Sequence, residues 1–214
     1  MMKRAAFLLS AAILAASSAT AQDRATATAP DSKGPLVGYV VRGGRAPLII
    51  RGWFHQEDAY GGGAVVSEKY DIKDPSSDMA LTIARLVAAK YADPAAPLAI
   101  QERREQRAYR DNKAAEKQSG VHYVVDLTIS LEAHPLIMSL NRYGVSVFGF
   151  LTVTDKTTNK VVRRAHCIIF PQDKTPDSPT LTEMFDHDAA SLKTMIASGA
   201  DDCMVALKAG ANLE

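Results

Sequence analysis

The strongest periodic signal in the chain is a two-residue alternation over residues 121–131. Tyr123, Val125, Leu127, Ile129 and Leu131 alternate there with His122, Asp126, Thr128 and Ser130. Successive side chains of a strand point to opposite faces, so this pattern predicts a strand with one apolar face. A second strand is predicted over residues 143–154 and a third over 161–170, joined as a long hairpin by the polar loop Asp155-Lys156-Thr157-Thr158-Asn159-Lys160. In the second strand both alternating sets carry bulk, Val145, Val147, Leu151 and Val153 against Phe148 and Phe150. That predicts an interior strand covered on both faces. Earlier in the chain, apolar runs at 36–41 and 48–54 flank Arg42-Gly43-Gly44-Arg45. A Gly-Gly pair supplies the positive φ angles of a tight turn, so a hairpin is expected, and Pro47 puts one of its strands at a sheet edge.

The period then changes to three and four. Met79, Ile83, Leu86, Val87 and Tyr91 form one stripe after Asp74-Pro75-Ser76-Ser77, in which Asp74 can cap free amides and Pro75 suits a first helical turn. Ala80, Ala84 and Ala88 let this helix approach a sheet closely, and Pro94 and Pro97 close it. A last helix is expected from Ser178-Pro179-Thr180, with Thr180 and Glu183 as a capping box. Its stripe is Leu181, Phe185, Leu192, Ile196, Cys203 and Leu207, and Gly199 marks an expected bend. The Gly-rich stretch Ala59-Tyr60-Gly61-Gly62-Gly63-Ala64 lacks the Gly-Lys-Ser/Thr ending of a phosphate loop and reads as a flexible loop. The sum is an α+β fold: a mainly antiparallel sheet with two or more helices packed on it, in one domain over residues 35–214.

The N-terminus changes where this domain is expected to work. Lys3 and Arg4 precede an apolar stretch and then Ala19-Thr20-Ala21, the order of a secretory signal peptide over residues 1–21, with cleavage before Gln22. The polar, aperiodic residues 22–34 read as a disordered leader. Cleavage removes two basic residues and no acidic one, so the formal charge passes from +1 to −1. A near-neutral chain lacks the electrostatic footprint of a nucleic-acid binder. Its densest basic stretch, residues 103–117, interleaves six Lys/Arg with Glu102, Glu105, Asp111 and Glu116 as a solvated face would. No later segment is apolar for long enough to span a bilayer, so the expected product is periplasmic with no transmembrane span.

From residue 70 to 207 the landmarks resemble a loose group of small Gram-negative envelope proteins, many of them lipoproteins. The resemblance rests on Tyr70-Asp71-Ile72-Lys73-Asp74-Pro75, Tyr123-Val124-Val125-Asp126-Leu127, Arg142-Tyr143, the hairpin from Asp155 to Val162, Cys167, Asp177-Ser178-Pro179, Leu192-Lys193 and Cys203. It implies a fold similar to that of outer-membrane assembly or transport-accessory proteins, and it implies no catalytic residues. The cysteine that lipidation would use is missing here.

Candidate chemistry is sparse. The histidines, His55, His122, His134, His166 and His187, include no His-x-x-x-His pair, so no metal site and no cofactor are expected. His187-Asp188, beside Asp186, fits capping and solvation of a helix start better than acid-base work, and no Gly-x-Ser-x-Gly elbow is present. His166 and Cys167 are adjacent on one strand and must point to opposite faces, so they cannot act on one substrate or chelate one metal. Cys203 lies on the apolar stripe of the last helix, and an exported compartment is oxidising, which makes a Cys167–Cys203 disulfide the expected pairing. The expected function is that of a non-catalytic envelope accessory or binding protein with a protein or lipid partner. The alternative is an exported hydrolase, for which a polar cleft with converging carboxylates or histidines would speak. An exposed apolar groove or an unpaired edge strand would speak for binding.

Overall fold

A computed structural model describes residues 36–42, 45–51, 62–92, 96–101, 120–136, 141–171 and 178–214. All of them belong to the compact unit Asp31–Glu214. The expected signal peptide, the leader, His55 and the basic stretch at 103–117 lie outside the described residues.

Among the described residues six strands form one sheet: β1 (Leu36–Val41), β2 (Leu48–Ile50), β3 (Leu98–Gln101), β4 (Val121–Pro135), β5 (Tyr143–Asp155) and β6 (Lys160–Ile169). The described helices that accompany it are α1 (Gly62–Lys69), α2 (Ser76–Tyr91) and α3 (Leu181–Gly210). The strand order is β3-β1-β4-β5-β6, with β2 also paired to β4. The expected β5–β6 hairpin is present, and β4 and β5 are antiparallel over their whole paired length. The rest of the sheet is parallel, since β1 runs parallel to β3 and to β4, and β2 runs parallel to β4. The sheet is therefore mixed, and the expectation of a mainly antiparallel one is corrected. The reason is topological: α1 and α2 lie between β1 and β3 in the chain, and a helical crossover returns a strand parallel to its predecessor.

The expected hairpin between the first two apolar runs is also corrected: among the described residues β1 and β2 do not pair with each other, and the Gly43-Gly44 turn lies outside them. Leu36 pairs with Val121 and Tyr39 with Val125, whereas Leu48 pairs with Leu131 and Ile50 with Ala133. Both runs therefore follow the same side of β4 in the same direction. Of the expected loop at residues 59–64, residues 59–61 lie outside the described residues, and from Gly62 the chain is helical, as the start of α1. A Cβ on Gly63 would fall 1.5 Å from the Leu48 carbonyl oxygen, so this glycine lets α1 lie directly against β2.

The helices share one apolar core with the inner face of the sheet. Val125, Leu127, Ile129 and Leu131 of β4 and Val145, Val147, Leu151 and Val153 of β5 are buried in it. Met79, Ala80, Ile83, Ala84, Val87 and Ala88 bring α2 onto β1 and β4, as the alanine spacing predicts. The Asp74 carboxylate accepts a hydrogen bond from the Ser76 amide at 2.8 Å, capping that helix.

α3 packs on β5 and β6 through Leu192, Ile196, Ala200, Cys203 and Leu207. Its start has the expected capping box: the Glu183 amide donates to the Thr180 hydroxyl at 3.2 Å, and the Thr180 amide donates to the Glu183 carboxylate at 2.7 Å. The break in this helix is not at Gly199. His187, Asp188 and Ala189 have φ of 51°, 59° and 56°, a left-handed turn between a short first segment and the long second one. Such angles cost an L-residue roughly 1–2 kcal/mol each. Gly199 serves close packing instead, since a Cβ there would meet Val147 Cγ2 at 2.5 Å.

Candidate binding surface

Alternation along β6 divides its side chains as expected: Ala165 and Cys167 are buried, while Arg164, His166 and Ile168 are exposed. The register places Arg164 opposite Thr152, His166 opposite Phe150, and Ile168 opposite Phe148 on the outer face of the sheet. Just beyond β6, Phe170 meets Phe148 edge to face with ring centroids 6.1 Å apart. Phe150 is 60% exposed, Ile168 50% and Phe170 63%. Burying both faces of β5 was the expectation from its two bulky sets. Among the described residues only the inner set is fully covered; in the outer set Phe150 is exposed and Phe148 half-buried, because α2 and α3 both pack on the inner side. Large apolar side chains grouped this way on a surface mark an interaction site more often than a random scatter does.

The inner side of the same strands holds the cysteines. Cys167 and Cys203 lie at disulfide distance, with Cα atoms 5.3 Å apart. Gly149 makes room for them: a Cβ at that position would stand 2.6 Å from Cys167 Sγ and 2.8 Å from Cys203 Sγ.

Charge is unevenly distributed over the outer face. Arg42 Nη2 holds the Asp126 carboxylate at 2.6 Å, and Arg51 Nε meets Glu132, so the acids of β4 already have cations. Arg164 and His166 on β6 have no ion pair among the described residues. Arg163, on the other side of β6, lies 5.2 Å over the Tyr91 ring, a cation–π contact that ties the strand to the end of α2.

Among the described residues the histidines do not converge. His122 Nδ1 accepts from the Leu36 amide at 3.3 Å. His187 stands in the left-handed turn, and Asp188 is engaged by Lys193 at 2.6 Å, so this pair forms a helix break and not the simple helix start expected. One contact has the look of a nucleophile and its base, and sequence spacing gave no hint of it. His134 Nε2 is 2.8 Å from Ser146 Oγ, and His134 Nδ1 is 3.1 Å from the Pro135 carbonyl. These two residues are twelve apart in the chain and meet only through the β4–β5 register. Ser146 is 1% exposed, so a substrate has no path to its oxygen. Among the described residues no three metal-ligating side chains cluster. A cleft of about 260 Å³ opens between the Phe170 end of β6 and α3; its lining includes Tyr143, Phe170, Met195 and Asp202 and contains one carboxylate and no histidine.

No protein-family model matches the chain, and no curated protein matches it. Among solved structures it is similar to lipoprotein GNA1162 from Neisseria meningitidis, at 10% identity and a TM-score of 0.32, over 80% of this chain and 99% of that one. It is also similar to the hypothetical protein CT253 from Chlamydia trachomatis, at 12% identity and a TM-score of 0.34, over 82% and 94% of the two chains. Both scores are too low to transfer a fold or a function. No helix among the described residues is long and apolar enough to cross a membrane.

Proposed function

We propose that this chain is an exported, non-catalytic binding protein of the cell envelope that engages its partner through the outer face of β5 and β6. The observation that carries this reading is the contiguous exposure of Phe150, Ile168 and Phe170 on a sheet whose described helices lie on the other side. A Cys167–Cys203 disulfide belongs to the same proposal, because a buried cysteine pair at this separation is held oxidised in an exported compartment. N-terminal sequencing of the exported protein is then expected to start at Gln22.

The test is a double substitution, Phe150→Asp with Ile168→Asp, in cells treated with a cross-linker. The variant should fold, with its melting curve close to the parent's, and lose the cross-linked envelope species. Val205→Asp, on α3, should retain them. Unchanged cross-linking by the double variant sinks the proposal.

The His134–Ser146 contact favours a second reading, that of a serine hydrolase. The buried hydroxyl weighs against it. A fluorophosphonate probe is expected to leave Ser146 unlabelled, and specific labelling there would restore the hydrolase.

A further inference from the structure

β6 ends the sheet. It pairs with β5 along its length and with no other strand among the described residues, so one row of its backbone amides and carbonyls faces outward. Edge strands are ordinarily guarded by charge, proline, shortness or a bulge. This one has ten residues, no proline, and a single irregularity near its start, at the register shift between Val153 and Thr154. Its charges are all of one sign: Lys160, Arg163 and Arg164 stand in a strand without an acid, with His166 beside them. The carboxylates of the outer face, Asp126 and Glu132, sit on β4 and are already engaged by Arg42 and Arg51.

We propose that β6 is a docking edge for an extended peptide segment with acidic side chains at alternate positions, added to the sheet as a further strand. This rests on the binding reading above and names the chemistry of the partner. Main-chain hydrogen bonds along the edge supply affinity, and side chains at every second position supply selection. Acidic side chains of the segment would stand on the outer face beside Arg164 and His166, and the intervening apolar ones on the inner face beside Ala165 and Ile169. The same cations select against a second copy of this chain. Antiparallel pairing of two β6 strands centred on Arg164 would set that arginine of one directly against its counterpart in the other, and directly opposed like charges destabilise a strand pair. The guard against self-association thus becomes the attraction for an acidic strand.

The experiment uses the full mature chain and two labelled decapeptides, one alternating glutamate with valine and one alternating lysine with valine. Fluorescence anisotropy should detect binding of the glutamate peptide alone, weakening as salt rises. Amide hydrogen exchange should slow in residues 160–169 when that peptide is bound. Arg164→Glu should weaken binding by on the order of tenfold, and Arg164→Lys should largely preserve it. Equal binding of both peptides, protection away from β6, or no binding of the glutamate peptide overturns the inference. If that peptide fails while Phe150→Asp with Ile168→Asp still abolishes envelope cross-linking, the docking face stands and the acidic-strand partner falls. If the peptide binds β6 while that double variant cross-links normally, the aromatic face is not the docking surface.

Discussion

The two faces of β5 differ in what covers them. Val145, Val147, Leu151 and Val153 point inward under α3 and are buried, while Phe148 and Phe150 point outward and no described helix packs over them. In sequence the two sets look equally apolar, and bulk on both is the usual mark of a strand buried on both sides. A strand can also carry apolar residues on its second face because a partner covers it, and nothing in the alternation separates the two cases. The separation comes from where the helices go. α2 follows β1 and β4, α3 follows β5 and β6, and both lie on the inner side.

Substitutions on the two faces should therefore differ sharply in cost. The largest effect is expected from replacing Cys167 and Cys203 together by alanine. A link across 36 residues is worth about 4 kcal/mol in the chain-entropy model, read as a fall in the denaturant midpoint. Non-reducing peptide mapping should recover both cysteines in one species, and free alkylation of both thiols in the folded protein would contradict a covalent tie between α3 and β6. Next comes Leu127→Ala on the inner face of β4. Leu127 is wholly buried, and its truncation should cost about 3 kcal/mol by equilibrium unfolding.

The capping box that starts α3 should matter less. Thr180→Ala is expected to cost about 1 kcal/mol. Its partner Glu183 gives a pH signature, because the backbone hydrogen bond from Thr180, then the Thr180 side chain, and then Arg142, hold its carboxyl below the usual range. A depressed folded-state pKa contributes stability above the unfolded value, near 4.3 for glutamate, and loses it as pH falls through the folded value. Glu183→Gln should accordingly lower stability at neutral pH, and the difference from the parent should close in acid. The smallest effect is expected on the outer face. Phe150→Ser should shift stability by less than about 0.5 kcal/mol, as for an exposed site. A loss as large as that at Leu127 would mean the two faces are equally structural.

How much of this was legible in the sequence depended on length and period. β4, β5 and β6 each run for ten or more residues with side chains alternating, and their hairpin has a polar loop, so they could be read directly. β3 has four residues, too few to show a period, and without it the parallel half of the sheet could not be seen. The hairpin expected of β1 and β2 rested on local signals alone, whereas both strands pair with β4, far along the chain. The break at His187, Asp188 and Ala189 was hidden because none of these residues is a glycine, the usual sign of left-handed backbone. As for the site, every member of the outer row, Phe148, Phe150, His166, Ile168 and Phe170, could be placed on one face by alternation. Whether that face was covered could not, because cover depends on contacts between elements far apart in the chain.

The central claim is that the outer face of β5 and β6 is open in the isolated protein and covered where the protein works. Carbene footprinting of the purified protein and of the same protein in intact cells compares the two states directly. Phe150, Ile168 and Phe170 should be labelled when purified and protected in cells, while Val205, 62% exposed on α3, should label equally in both. Equal labelling of the aromatic face in both states would contradict the account.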